Sequence, residues 1–93
     1  NRMQEEYVIL PQSFTKTKAY RDTNSLWTFS YLLFNCDDDG RLEFDIRNLD
    51  LSISENKFKA SLKKLYDEGL IYGDTQGNHR EIYISDYRKK YVE

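Results

Sequence analysis

Between Ser54 and Ile71 the chain has little freedom in what it can form. Residues 55–68 contain neither Gly nor Pro, Ser54 precedes them as a helix N-cap, and Gly69 follows where a left-handed C′ residue belongs. Phe58, Leu62 and Leu65 fall at i, i+4 and i+7, one apolar stripe on a helix of 3.6 residues per turn. The spacing predicts a helix over 55–68 and then a hairpin over 70–85. Leu70-Ile71-Tyr72 is its outgoing strand, Gly73 to Asn78 its turn, and Ile82-Tyr83-Ile84 its return. An apolar helix face feeding directly into a hairpin must be covered by what precedes it.

The preceding residues offer a cover. Asn24 is the expected N-cap of a helix over about 25–36, in which Leu26, Trp27, Phe29, Tyr31, Leu32, Leu33 and Phe34 cover nearly the whole circumference. A helix apolar all round is expected to be central and buried. Asp37-Asp38-Asp39-Gly40 forces a turn, and Arg41 to Ile46 then alternates, with Leu42, Phe44 and Ile46 on one strand face. Residues 47–51 have room for one short helical turn, whose exit Leu51 and Ile53 would lock. Upstream, residues 1–6 are expected to fray, Tyr7 to Leu10 is a strand or an extended lead-in ended by Pro11, and Ser13 to Tyr20 reads as a short helix anchored by Phe14 and Tyr20. Tyr87 and Tyr91, four apart in the tail, suit packing better than a dimer contact. Helix, strand, helix, helix, hairpin is the order of a winged helix-turn-helix. The expected class is therefore α+β, a three-helix core with a small antiparallel sheet and hairpin wing, in one domain over residues 7–93.

Composition narrows the chemistry. The 93 residues fit one domain, and eight Tyr, five Phe and one Trp exclude a disordered chain. A single cysteine, Cys36, permits no intrachain disulfide and reads as a buried small hydrophobe closing a helix. A single histidine, His79, leaves little for metal binding or base-assisted nucleophiles. Asn35, Asp37, Asp39 and Gly40 imitate the start of a calcium loop, but its twelfth position, which needs a bidentate Glu, is Ile46. With no paired carboxylates, nucleophile–base pair or phosphate loop, the expectation is no enzyme, no metal and no cofactor. Leu26 to Phe34 is about half of a membrane span, no signal peptide is visible, and the expected compartment is the cytoplasm. The chain begins at Asn1 without Met, and the expectation is a domain cut from a longer protein.

Fourteen Lys and Arg against sixteen Asp and Glu give a net charge of −2, unlike a non-specific nucleic-acid coat protein. Residues 54–66 are the exception, with four Lys and one Glu. At about 100° per residue, Asn56, Lys59, Ala60 and Lys63 point away from the Phe58/Leu62/Leu65 stripe, flanked by Lys57 and Lys64. As a recognition helix this segment would put Ser54, Glu55 and Asn56 near base edges, Asn56 for adenine or Glu55 for a cytosine amine. Lys57, Lys59, Lys63 and Lys64 would meet phosphates. At the hairpin tip, His79 and Arg80 are the expected contacts to a minor groove or a phosphate. The Asp37–Asp39 loop, which repels phosphate, should face elsewhere.

From Tyr7 to Tyr91 the chain resembles the N-terminal winged-helix domain of phage and prophage replication proteins, the replisome-organiser and DnaD-like group. The residues that carry the likeness are Val8-Ile9-Leu10, Tyr20-Arg21-Asp22, the Phe29 to Phe34 helix, the Ser54/Phe58/Leu62/Leu65/Gly69-Leu70-Ile71 block and the run from Ile82 to Tyr87. The resemblance implies binding of double-stranded replication-origin DNA, with a separate C-terminal region contacting helicase-loading proteins. Two other readings stand beside it. One is a transcriptional regulator; the other is a protein-interaction or homo-oligomerisation module with Trp27 or the Tyr tail at an interface.

Overall fold

The Ser54-capped helix forms as its sequence requires. In the computed structural model, which describes residues 7–92, it spans Glu55–Asp67 and is designated α3. The Ser54 side chain accepts from the Lys57 N–H at 3.1 Å. At the other end Leu70 N–H donates to the Leu65 carbonyl and Gly69 N–H to that of Tyr66, with Gly69 at φ +71°. This pair of bonds is a Schellman stop, and it turns the chain toward the sheet. Phe58, Leu62 and Leu65 are fully buried.

The sheet has three antiparallel strands, β1 (Arg41–Asp45), β2 (Ile71–Gly73) and β3 (His79–Ile84), in the order β1-β3-β2. Arg41 pairs with Tyr83 and Asp45 with His79 on one side of β3, and Ile71 pairs with Ile84 on the other. Alternation along β3 buries Arg80, Ile82 and Ile84 and turns His79, Glu81 and Tyr83 outward. Gly73 sits at φ +121°, and a Cβ there would lie 2.3 Å from the Glu81 carbonyl oxygen, so only glycine lets the hairpin close this tightly.

Against α3 lies α2 (Thr23–Asn35), and its cap differs from the expected one. Asp22, not Asn24, caps it: the carboxylate accepts from both the backbone N–H and the hydroxyl of Ser25. A carboxylate at a helix N-terminus also gains from the dipole, which neutral Asn does not. Nor is α2 buried all round. Ser25, Thr28, Phe29, Leu32 and Leu33 form the buried stripe, Trp27 and Tyr31 are half-buried and stacked at 5.1 Å, and Phe34 is 71% exposed. One helix in so small a domain has neighbours for one face only.

The other segments close the core. The expected helix over 13–20 is two pieces, a 3-10 turn Gln12–Lys16 and a one-turn helix, α1 (Lys18–Arg21). Thr17 divides them: its hydroxyl donates to the Phe14 carbonyl and accepts from the Tyr20 N–H. Phe29 lies between Phe14, stacked at 5.0 Å, and Tyr91, edge-on at 5.7 Å. Tyr91 follows the short C-terminal helix α4 (Tyr87–Lys90) and is buried, so the tail packs against the core. Tyr7 to Leu10 is an unassigned lead-in, held where Ile9 N–H donates to the Tyr91 carbonyl. Between β1 and α3 only a 3-10 turn, Ile46–Asn48, is helical, and Ile46 begins it rather than ending β1. The expectation of fraying falls on residues 1–6, outside the described residues.

Candidate nucleic-acid interface

The first turn of α3 projects freely. Ser54, Glu55, Asn56 and Lys57 are exposed, as is Ala60, whose small side chain lets another surface approach the helix. Lys59, one turn on, is half-buried, because it leans toward the hairpin. The remaining lysines are not free charges. Lys63 Nζ lies 3.0 Å from the Asp67 carboxylate, one turn along the same helix, and Lys64 Nζ lies 3.3 Å from Asp22. The Ser25 hydrogen bonds, more than Lys64, hold the Asp22 carboxyl below its usual range. The positive window read from residues 54–66 is thus partly neutralised by two carboxylates outside it.

The hairpin loop is fastened to α3 and to its own strand. Tyr66, on α3, donates its hydroxyl to the Asp74 carbonyl. The Asp74 carboxylate accepts from Glu81 N–H at 2.8 Å, and Arg80 Nε donates to the Gly77 carbonyl at 2.9 Å. Burial pushes the Tyr66 phenol up, and the adjacent Arg80 guanidinium partly offsets it. Between helix and loop runs an open groove of about 370 Å³, lined by Lys59, Lys63, Tyr66, Asp67, Thr75, Gln76 and Arg80.

The two hairpin cations therefore part company. Arg80 is only 5% exposed and is not the tip cation expected from the sequence, although it reaches the groove. His79 stays exposed on the opposite face of the sheet, with Nε2 2.9 Å from Glu43. There Arg41 bridges Glu81 and Glu43, which are directly paired across β1 and β3, and Tyr72 stacks on Tyr83 at 5.1 Å. Cross-strand like charges repel, so Arg41 is what makes that pairing tolerable.

Of the residues singled out from sequence, Lys59, Lys63 and Arg80 come together at the groove. Ser54, Glu55, Asn56 and Lys57 continue from it along the exposed start of α3. Lys64 and His79 are directed elsewhere. Tyr66 and Asp67 were missed, although both lie within one turn of Lys63 on a helix already identified. The acidic turn is at the far end of the sheet from the hairpin tip, since β1 starts beside Tyr83 and ends beside His79. Within that turn Asp37 Oδ1 accepts from the N–H groups of Asp39 and Arg41, both at 2.9 Å, and Arg88 donates to the Asp38 carbonyl. Cys36 is half-buried rather than buried, and burial raises its thiol.

Among the described residues no cluster of His, Cys, Asp and Glu is arranged to hold a metal ion, and no helix is long and apolar enough to cross a membrane. Comparisons of the chain with protein-family models, curated proteins and solved structures find no match.

Proposed function

We propose that this chain binds duplex DNA as a winged helix-turn-helix, with α3 as recognition helix and loop 74–78 as wing. One observation carries the reading: a groove bordered by Lys59, Lys63 and Arg80 lies between the exposed helix start and the hairpin loop. The packing of β2 against α3 supports it, because it sets the hairpin beside the helix it follows. The helix that would come before α3 is reduced to the Ile46–Asn48 turn, so α3 leans on α2 instead. In this arrangement Lys57, Lys59 and Lys63 meet phosphates, and Asn56 or Glu55 faces base edges. The sequence resemblance adds a context, replication initiation of the phage or prophage type, with helicase-loading partners met by another region of the parent protein.

The test is fluorescence anisotropy at low salt with random and candidate-origin duplexes, using the chain alone and a covalently linked dimer. Binding by the dimer is expected, and Asn56→Ala should relax preference at one base pair, worth about 1–3 kcal/mol. A second reading, a protein-interaction module, draws on a different feature. Phe34 on α2 and Tyr72 on the sheet are 71% and 56% exposed. Self-association without duplex binding would favour it.

A further inference from the structure

Arg80 poses a question that its neighbours leave open. Arg80 is buried, and no Asp or Glu among the described residues forms an ion pair with it. A guanidinium has five N–H donors and stays charged at any ordinary pH. One of the five, Nε–H, is used on the Gly77 carbonyl, and the Tyr66 hydroxyl is the adjacent side-chain partner. A charge so withdrawn from water is costly unless something of opposite sign completes it. Among the described residues the one carboxylate on the groove wall, Asp67, is already engaged with Lys63.

We infer that the groove between α3 and loop 74–78 is a seat for a single phosphoryl group, with buried Arg80 as its fixed counter-charge and Asp67 as an internal competitor for Lys63. The forked guanidinium matches a pair of oxygens that a phosphate presents, and Lys59 and Lys63 add two ammonium groups from the helix side. Lys63 Nζ lies against Asp67; when a phosphoryl group enters, Lys63 exchanges one anion for another. Arg80 thereby takes a role different from the minor-groove contact expected of an exposed hairpin tip. It braces the loop from within the hairpin, through Gly77, and holds charge at the junction. The inference deepens the DNA-binding reading and rests on it for the source of the phosphoryl group, which is either a backbone phosphodiester or free phosphate.

The experiment is an amide NMR titration of the whole chain with inorganic phosphate, against sodium chloride at matched ionic strength, followed by duplex DNA. Phosphate should give saturable shifts at Lys63, Gln76 and Gly77 that chloride does not. Asp67→Asn should tighten phosphate by about twofold, the change expected when an exposed i,i+4 ion pair stops competing. Lys59→Ala should weaken it by a similar factor. Arg80→Lys keeps the charge but loses the fork and should abolish saturation; Lys59→Ala and Asp67→Asn, on the helix surface, decide the matter if that variant does not fold. Equal shifts with phosphate and chloride, or unchanged affinity in Asp67→Asn, overturn the seat. Duplex binding without any phosphate effect removes the seat and leaves the DNA reading standing. Saturable phosphate without duplex binding keeps the seat, assigns it to free phosphoryl groups, and removes the DNA reading.

Discussion

Glu68, the half-buried residue that caps the end of α3, has a sequence position that suggests no role, yet its replacement should weaken the fold. Its two carboxylate oxygens accept from the backbone N–H groups of Lys18 at 2.9 Å and Ala19 at 2.8 Å, some fifty residues earlier in the chain. These are the first two N–H groups of α1, which no intrahelical carbonyl can reach. Ala19 is 1% exposed, so in Glu68→Ala its N–H loses its partner where water does not readily replace it. An orphaned buried donor costs about 1–3 kcal/mol, whereas the Lys18 N–H can turn to solvent at little cost. For a chain of this length total stability is roughly 5–14 kcal/mol. With a urea slope of about 1–3 kcal/mol per molar, the midpoint should fall by about 1 M at an unchanged slope. Urea unfolding followed by circular dichroism reads this directly. Glu68→Gln keeps one acceptor oxygen and should lose less. A Glu68→Ala midpoint equal to that of the parent would refute the reasoning, as would Gln costing as much as Ala.

Other perturbations separate the core from the surface. Leu62→Ala removes a fully buried side chain and should cost about 2–5 kcal/mol, whereas Lys63→Ala loses only an exposed ion pair worth about 0.3–0.5 kcal/mol; equal denaturant midpoints would mean the helix phase is wrong. Arg47 donates its side-chain and backbone N–H groups to Asp45 and holds that carboxyl at about 2. Because the folded value lies below the unfolded one, the contribution is complete above about pH 4 and is lost as pH falls toward about 2. Melting temperature against pH should therefore show an acid limb that Asp45→Asn flattens. Calcium at micromolar concentration should leave the melting temperature unchanged, because Asp37 already serves two backbone N–H groups and Ile46 is buried in the core.

What the sequence made legible was local. The Ser54 cap, the Phe58/Leu62/Leu65 stripe and the Gly69 stop each act within a few residues, and α3 and the hairpin follow from them. The capping error has a local cause: Asp22 and Asn24 are both competent caps, and the choice depends on which one also meets Ser25 and, from across the fold, Lys64. Phe34 was expected inside because composition alone cannot say how many neighbours a helix has. Arg80 could have been placed better. Arg80, Ile82 and Ile84 stand two apart, so a strand period puts the guanidinium on the core face; placing His79 and Arg80 at the hairpin tip, with the return strand starting only at Ile82, hid that period. Glu68, by contrast, was beyond reach, since its partners are remote in sequence and backbone N–H groups carry no side-chain signature.

The claim that α3 and the wing hold DNA is tested most directly by the salt dependence of duplex binding. Each phosphate neutralised by a lysine adds about 0.9 to the slope of log K against log salt. For the linked dimer of this chain the account predicts measurable binding at low salt that falls with salt. Replacing Lys59 and Lys63 together with Ala should flatten the slope by up to about two units per bound domain and weaken all duplexes alike. An unchanged slope in that variant would mean that another face holds the DNA, and no duplex binding by the dimer at low salt would contradict the account outright.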